Sequence, residues 1–206
     1  MSNSGGDLSL TTLTSTTLLE GLKAPDNQTV WRQYTERYQP MLVRFGRRMG
    51  LATQDAEDVA QQTLLAFCES YRLGKYDRQK GRLRDWLFGI ARNQLRAWRR
   101  KQPVHEVRIA DAGSGTDFLQ RIDDDNQLDA LWEQEWRDAV LRRCLEIVRG
   151  EVDAKSFDAF QLFASQGLPA AEVAERLGMT ANAVFIAKHR ILKRIRELLP
   201  LLEETW

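Results

Sequence analysis

The chain has 206 residues, a length that fits one large domain or two small ones. Hydrophobic residues make up 43% of it, enough for packed cores, and the formal net charge of +1 does not by itself indicate a nucleic-acid-binding protein. The N-terminal segment MSNSGGDLSLTTLTSTTLLEGL lacks the basic region and the long apolar run of a secretory signal, and no segment is apolar enough to span a bilayer. We therefore expect a cytoplasmic protein without a membrane partner.

The first part of the chain predicts an N-terminal arm followed by two helices. Residues 1–24 are rich in Ser, Thr and Leu and carry little charge, which predicts a flexible arm with one helical turn near Leu18. The segment TQDAEDVAQQTLLAFCESY predicts a helix capped by Thr53 or Asp55, with acids in its first turn, where the helix dipole favours them. Before it, a helical repeat of apolar residues is interrupted at Pro40, where we expect a kink or a break. The repeat consists of Val30, Tyr34, Tyr38, Met41, Leu42 and Phe45.

A third helix, a linker and a second helical region follow. After the loop RLGKYDRQKGR, the segment LRDWLFGIARNQLRAWRRK predicts a helix that Pro103 ends. Residues 103–127 are acidic, contain glycine and show no sustained period, which predicts a linker. Helical patterns return from Leu128 onward, and no region shows sustained strand alternation. We therefore predict an all-α fold with one helical domain over residues 25–102 and a second over residues 128–206.

Charge is sorted into blocks along the chain. Residues 82–101 contain seven basic residues against Asp85 alone, and residues 188–196 contain five basic residues and no acid. Between residues 106 and 151 acids outnumber bases twelve to six. Such blocks indicate binding partners better than the net charge does.

The segment GLPAAEVAERLGMTANAVFIAKHRILKRIREL has the pattern of a helix-turn-helix. Ala174 is small enough for the helix crossing, Gly178 suits the turn, and Thr180 can cap the second helix. The inward stripe of that helix is Val184, Ala187, Ile191, Ile195 and Leu198. Its opposite side carries Asn182, Phe185, Lys188, His189 and Lys193, which could meet base edges and phosphates in a major groove. The alternative is a helical corner whose basic face is only solvated.

The helix over residues 83–101 interleaves arginines with aromatic residues. This pairing suits single-stranded or melting DNA, because arginines hold the backbone and aromatic rings stack on unpaired bases. The alternative is that Trp86 and Phe88 belong to the core and that the arginines are a solvated face. In the preceding helix the acidic turn DAED exceeds what capping needs and indicates a basic partner surface.

The sequence offers no sign of catalysis or of a metal site. Cys68 and Cys144 lie far apart without zinc-like spacing, so we expect both to be buried as small hydrophobic residues. No nucleophile–base pair, metal cluster or phosphate-binding glycine loop is recognisable, and His189 has no second ligand nearby. We expect a protein that is not an enzyme and has no cofactor.

Taken together, three motifs resemble a bacterial RNA polymerase sigma factor of the sigma-70 type, in the extracytoplasmic-function group. DAEDVAQQTLLAF resembles the segment that grips a coiled coil on the polymerase clamp. GRLRDWLFGIARNQLRAWRRK resembles the helix that opens and reads the −10 element, and the C-terminal motif resembles the helix-turn-helix that reads the −35 element. The resemblance covers residues 28–102 and 128–203.

The resemblance implies three sets of site residues. Core polymerase would be bound by Asp55, Glu57, Asp58, Gln61 and Gln62. The −10 DNA would be bound by Arg82, Arg84, Trp86, Arg92, Asn93, Arg96, Arg99 and Arg100, with the loop over residues 73–82 holding an extruded base. The −35 DNA would be bound by Thr180, Asn182, Phe185, Lys188, His189, Arg190 and Lys193. The acidic linker would thread toward the active-site cleft and the RNA exit path of the polymerase.

The implied function is promoter recognition and strand opening by a polymerase subunit that performs no chemistry. Core RNA polymerase and promoter DNA are the implied partners, an anti-sigma factor is common in that group, and no small-molecule substrate is expected. The −35 preference is not carried over, because the family often has basic or hydroxyl residues where Phe185, Ile186 and Ala187 stand, and Leu where Lys188 stands. The alternative function is a stand-alone helix-turn-helix regulator of duplex operators, which leaves the DAED turn and the arginine–aromatic helix unexplained.

Overall fold

The computed structural model describes residues 15–24, 27–101 and 124–205, and all regular secondary structure in those ranges is helical. The predicted all-α fold is confirmed. The helices are α1 (Ser15–Gly21), α2 (Gln28–Arg48), α3 (Thr53–Arg72), α4 (Leu83–Lys101), α5 (Asp125–Glu151), α6 (Ala154–Phe160), a π-helical turn (Gln161–Ser165), α7 (Ala170–Leu177) and α8 (Ala181–Thr205). The chain divides into two compact units, and the boundary between Trp136 and Arg137 falls inside α5.

Helix α2 forms because its apolar residues recur on one face and its first turn is capped. The side-chain Oδ1 of Asn27 accepts a hydrogen bond from the Val30 N–H at 3.2 Å. The sequence predicted a kink or a break at Pro40, and the break is wrong, since α2 runs unbroken through the proline. Met41, next to the proline, and Tyr38, two residues before it, are fully buried, so packing in this part of α2 offsets the missing backbone donor.

Helix α1 corrects the prediction of a flexible arm for the residues nearest the first domain. Leu18 and Leu22 are each only 1% exposed. A Cβ on Gly21 would lie 2.7 Å from Cγ2 of Val30, so the glycine allows α1 and α2 to approach closely. The Arg72 Nε of α3 donates to the Leu22 carbonyl at 2.8 Å. The helical turn expected near Leu18 is therefore a packed helix, and residues 1–14 lie outside the described residues.

Helix α3 packs between α2 and α4. It begins at Thr53 after Ala52, without a side-chain cap, so the predicted capping by Thr53 or Asp55 is wrong. The buried Thr63 hydroxyl donates to the Val59 carbonyl at 2.7 Å, which satisfies it inside the helix. Its buried face is Ala56, Val59, Ala60, Thr63, Leu64, Phe67 and Cys68.

The first turns of α5 belong to the first unit. Leu128, Trp132 and Trp136 recur every four residues and are buried. The Trp132 ring lies 5.3 Å from the Phe45 ring of α2 and 5.2 Å from the Phe88 ring of α4, measured between centroids. Residues 128–136, which the sequence assigned to the second domain, therefore add to the core of the first unit. Residues 102–123, which hold most of the predicted linker, lie outside the described residues.

The second unit is built around the corner between α7 and α8. Gly178 adopts a left-handed conformation (φ 58°), and the Met179 N–H donates to the Ala174 carbonyl at 2.9 Å, which closes the end of α7. Thr180 Oγ1 accepts from the Ala183 N–H at 3.2 Å and caps α8, as predicted. The core combines Ala159, Val173, Ala174, Val184 and Ala187. The predicted inward stripe of α8 is confirmed, since all five of its residues are buried.

Both cysteines are free and buried, as predicted. Among the described residues, no helix combines the length and the apolar character needed to cross a bilayer.

Candidate nucleic-acid and polymerase interfaces

An exposed acidic and amide face lies on α3. Glu57, Asp58, Gln61 and Gln62 are all exposed, and their spacing places them on neighbouring turns of one side of the helix. The face continues to Leu65, a large apolar side chain that is 46% exposed. Four of the five residues predicted to bind the polymerase therefore form one continuous surface.

The fifth residue, Asp55, is held against α4. Its Oδ1 lies 3.3 Å from the indole Nε1 of Trp98, which donates a hydrogen bond to it. Asp55 is therefore partly buried and joins α3 to α4, a role that the sequence did not indicate.

Trp86 on α4 is half-buried in a cluster of aromatic rings. Its ring centroid lies 4.8 Å from that of Phe67 and 4.9 Å from that of Tyr76, and Tyr76 is stacked on it. Tyr76 comes from the loop predicted to hold an extruded base, so Trp86 connects that loop to the core. Both ideas raised for Trp86, a core residue and a stacking surface, are compatible with this placement.

The arginines predicted for −10 DNA fall into two groups. Arg82 and Arg100 are exposed, as is Asn93. Arg84, Arg92 and Arg96 instead face acids from the start of α5. The Arg96 Nη2 lies 2.6 Å and the Arg92 Nη1 3.4 Å from Oδ1 of Asp125.

Arg84 is the most enclosed of these arginines, with a side chain that is 19% exposed. Its guanidinium binds the Glu133 carboxylate and lies 3.2 Å from Oδ1 of the adjacent Asp85. Arg99 is half-buried and also has an interaction partner. The sequence indicated none of the pairs with Asp125 and Glu133, because their members are 29 to 49 residues apart in the chain.

A buried carboxylate connects α5 to α2. Glu135 is 1% exposed, and its Oε2 accepts from the Arg44 Nε at 3.2 Å. The Arg48 Nε lies 2.7 Å from the other oxygen, Oε1. A buried carboxylate needs such partners, because its removal from water is otherwise strongly unfavourable. Arg44 and Arg48 were absent from the predicted sites, and their spacing of one helical turn was the only available signal.

The outer face of α8 presents polar, basic and apolar side chains together. Six of the seven residues predicted to bind −35 DNA are exposed: Thr180, Asn182, Phe185, His189, Arg190 and Lys193. Lys188 is half-buried, and its Nζ lies 5.0 Å from the centroid of the Phe163 ring. Phe163, in the π-helical turn, was not among the predicted residues.

Arg194 belongs to the internal structure of the second unit. Its Nε and Nη2 each lie 2.7 Å from an oxygen of Glu151, a bidentate pair. This pair lowers the pKa of the Glu151 carboxyl and raises the pKa of the Arg194 guanidinium. Arg194 is therefore less available to a phosphate than the neighbouring basic residues.

The described residues contain no group of His, Cys, Asp and Glu side chains that could hold a metal ion. Burial raises the pKa of Cys68 to about 12, so its thiol is protonated at neutral pH and unreactive.

Residues 35–103 match a family model described as Sigma-70 region 2. The match spans most of α2 and all of α3 and α4, so it includes the acidic face and the arginine-rich helix. It supports a sigma-70-family factor, and the domain implies binding to RNA polymerase and a role in promoter melting. No curated protein and no solved structure matches the chain significantly.

Proposed function

We propose that the chain is a sigma factor of the extracytoplasmic-function group, which binds core RNA polymerase, recognises −10 and −35 promoter elements and opens the DNA. The observation that carries the proposal is the exposed acidic face of α3 beside the arginine-rich α4, within the matched domain. The protein itself performs no chemistry and acts in the cytoplasm.

The polymerase contact is assigned to α3. Its exposed face offers hydrogen-bond acceptors and negative charge, and Leu65 adds apolar area to the same side of the helix. The polar members of this face are Glu57, Asp58, Gln61 and Gln62. A charged rim around an exposed apolar side chain is typical of a protein–protein interface, since charge guides the encounter and apolar burial adds affinity. Asp55 contributes less directly, because it already accepts a hydrogen bond from Trp98.

The −10 contact is assigned to α4 and to the loop before it. Arg82, Asn93 and Arg100 are exposed and available to the backbone of a separated strand. The ring pair of Trp86 and Tyr76 lies next to that loop and can provide an aromatic surface for an unpaired base. The other arginines of α4 would contact DNA only by exchanging their present protein partners for phosphates. These are Arg84, Arg92, Arg96 and Arg99.

The −35 contact is assigned to the first turns of α8. In helix-turn-helix proteins, residues near the start of the second helix reach base edges in the major groove. Asn182, Phe185 and His189 are exposed at that position, and Thr180 caps the helix through its side chain. Lys188, Arg190 and Lys193 add positive charge for phosphates. An anti-sigma factor is a further candidate partner.

The experiment is co-purification of the full chain with bacterial core RNA polymerase. We expect wild type to be retained and Glu57→Arg/Asp58→Arg to be lost, because the reversed charges oppose a basic partner surface. Asp158→Arg/Glu175→Arg is the matched control, since it reverses two exposed acids on α6 and α7 of the second unit and leaves α3 unchanged. Equal retention of all three proteins would show that the acidic face of α3 is not the polymerase contact. Failure of wild type to bind, together with binding to duplex DNA alone, would favour a stand-alone regulator.

A further inference from the structure

Two adjacent apolar side chains stand on the outer face of α8. Phe185 is 51% exposed and Ile186 is 58% exposed. They lie in a stretch from Ala181 to Arg196 that contains no acid. Single exposed apolar residues are ordinary, but adjacent large ones inside a basic surface indicate an interaction site.

Phe163 positions this surface from the π-helical turn. Its ring meets the Phe185 ring edge to face, with centroids 5.3 Å apart and planes at 89°. The Lys188 ammonium lies 5.0 Å from the centroid of the Phe163 ring. The π turn itself is closed by the Gln166 N–H, which donates to the Gln161 carbonyl at 3.0 Å. Single π turns of this kind occur often at functional sites.

The chemistry of the surface selects one base. In the major groove the thymine C5-methyl is the apolar group that an unmodified base edge presents, whereas guanine, adenine and cytosine present donors and acceptors there. A half-exposed Phe ring can bury such a methyl, while Lys188, Arg190 and Lys193 favour an anionic polymer over an apolar protein partner.

We propose that Phe185, with Ile186 beside it and Phe163 as its positioning residue, reads thymine methyl groups in the upstream promoter element. This inference rests on the proposed function and adds the identity of a base to it. Phe163 does not touch DNA; it holds the Phe185 ring and the Lys188 ammonium in place.

The test uses the full chain in complex with core polymerase. A promoter library with a randomised upstream duplex is selected by transcription, and each selected thymine is then replaced by deoxyuridine, which lacks only the methyl. We expect thymine to be selected at one or more upstream positions, and deoxyuridine to lower initiation about fourfold there, the loss that corresponds to one buried methyl at about 0.8 kcal/mol.

The variants separate reading from folding. Phe185→Ala should abolish the difference between thymine and deoxyuridine, and Phe163→Ala should reduce it while Phe163→Leu restores part of it. Leu141→Ala is the control, because Leu141 is an exposed apolar residue of the same unit outside α8, and it should leave the difference unchanged.

A selected upstream element without sensitivity to deoxyuridine would overturn this inference and leave the sigma function standing. Retention of the full difference by Phe185→Ala would overturn it as well. If the complex selects no promoter at all, the proposed function fails and the inference fails with it.

A second inference comes from the start of α5. Its acids hold the guanidinium groups of Arg84, Arg92 and Arg96, which the proposed function assigns to −10 DNA. A phosphate uses the same donors of a guanidinium as a carboxylate does, so the two contacts compete. The rings of Trp132 and Trp136 hold this segment in place.

We infer that residues 125–136 are an acidic cover that competes with −10 DNA, so that the strand binds fully only after the cover has been displaced. The cover is stable without DNA because buried Glu135 and the two tryptophans anchor it, whereas Asp125 and Glu133 supply its exchangeable contacts.

The test compares two double variants, each of which removes two negative charges from the chain. Asp125→Asn/Glu133→Gln should raise the affinity of the full chain for a fluorescent 15-nucleotide single-stranded DNA about threefold to tenfold, since ion pairs near the surface contribute little to stability and exchange readily. The control Glu146→Gln/Glu172→Gln removes two exposed acids that pair with Arg143 and Arg176 in the second unit. It should change affinity less than about twofold. An equal rise in DNA affinity in both variants, or no rise in either, would contradict the proposal that residues 125–136 cover the −10 surface. Neither outcome would affect the proposed binding to polymerase.

Discussion

Glu135 and Arg48 lie 2.7 Å apart, with the carboxylate buried and the arginine 38% exposed. Glu135→Gln should lower the free energy of unfolding of the first unit by about 2 kcal/mol, because Arg44 and Arg48 would lose a buried counter-charge. Urea unfolding followed by tryptophan fluorescence reports this directly, since Trp132 and Trp136 are on the same helix.

Glu146→Gln serves as the control for that measurement. Glu146 is 65% exposed and pairs with Arg143 on the surface, so we expect a change below about 0.5 kcal/mol. Similar small effects of both substitutions would contradict a structural role for Glu135.

A side chain at position 178 should strain the backbone, because Gly178 adopts a left-handed conformation. Gly178→Ala is expected to lower the stability of the second unit by about 1–2 kcal/mol, the usual cost of the left-handed conformation for a residue with a side chain. The control is Gly150→Ala in α5, where a Cβ meets nothing within 4 Å, and there we expect a gain of about 0.5 kcal/mol. Helix circular dichroism during urea unfolding measures both, and a neutral Gly178→Ala would contradict the turn geometry.

The Glu151–Arg194 pair should make the stability of the second unit depend on pH. The pKa of the Glu151 carboxyl is lowered in the folded state, so its contribution is present above the unfolded pKa and is lost as the pH falls through the folded one. The difference in unfolding free energy between wild type and Glu151→Gln should therefore shrink from pH 7 to pH 3. A difference that stays constant or grows would contradict this, and its size at pH 7 should not exceed about 1 kcal/mol.

Arg100→Ala should weaken DNA binding without affecting the fold. Arg100 is exposed, so we expect a change in unfolding free energy within about 0.5 kcal/mol. If Arg100 neutralises one phosphate, the salt dependence of single-strand binding by the polymerase complex should lose about 0.7 from its logarithmic slope. The control Arg176→Ala removes an exposed arginine of α7 and should leave that slope unchanged. An unchanged slope for Arg100→Ala would remove this residue from the −10 surface.

The sequence predicts local features of this fold well because their causes are local. Ala174, Gly178, Thr180 and Val184 lie within eleven positions of one another, and each has the burial, conformation or cap expected of it. Backbone sterics, capping and helical periodicity act over a few residues and can be recognised without a structure.

The arginine partners could not be predicted in this way. Asp125, Glu133 and Glu135 look alike as acids in the sequence, yet one is buried between two arginines and the others meet α4. Tertiary packing of Trp132 and Trp136 decides which face of α5 turns inward, and no local signal specifies its target. For the same reason the pairing of Phe163 with Phe185, across twenty-two positions, was not recognisable.

The most direct test of the central claim is transcription in vitro by core RNA polymerase with and without the full chain, on bacterial genomic fragments. Permanganate modification of unpaired thymines reports strand opening in the same reactions. The sigma function predicts discrete new start sites and opening just upstream of them, only when the chain and the polymerase are both present. If the chain adds no start site and opens no DNA, yet binds duplex fragments without polymerase, the sigma function is contradicted.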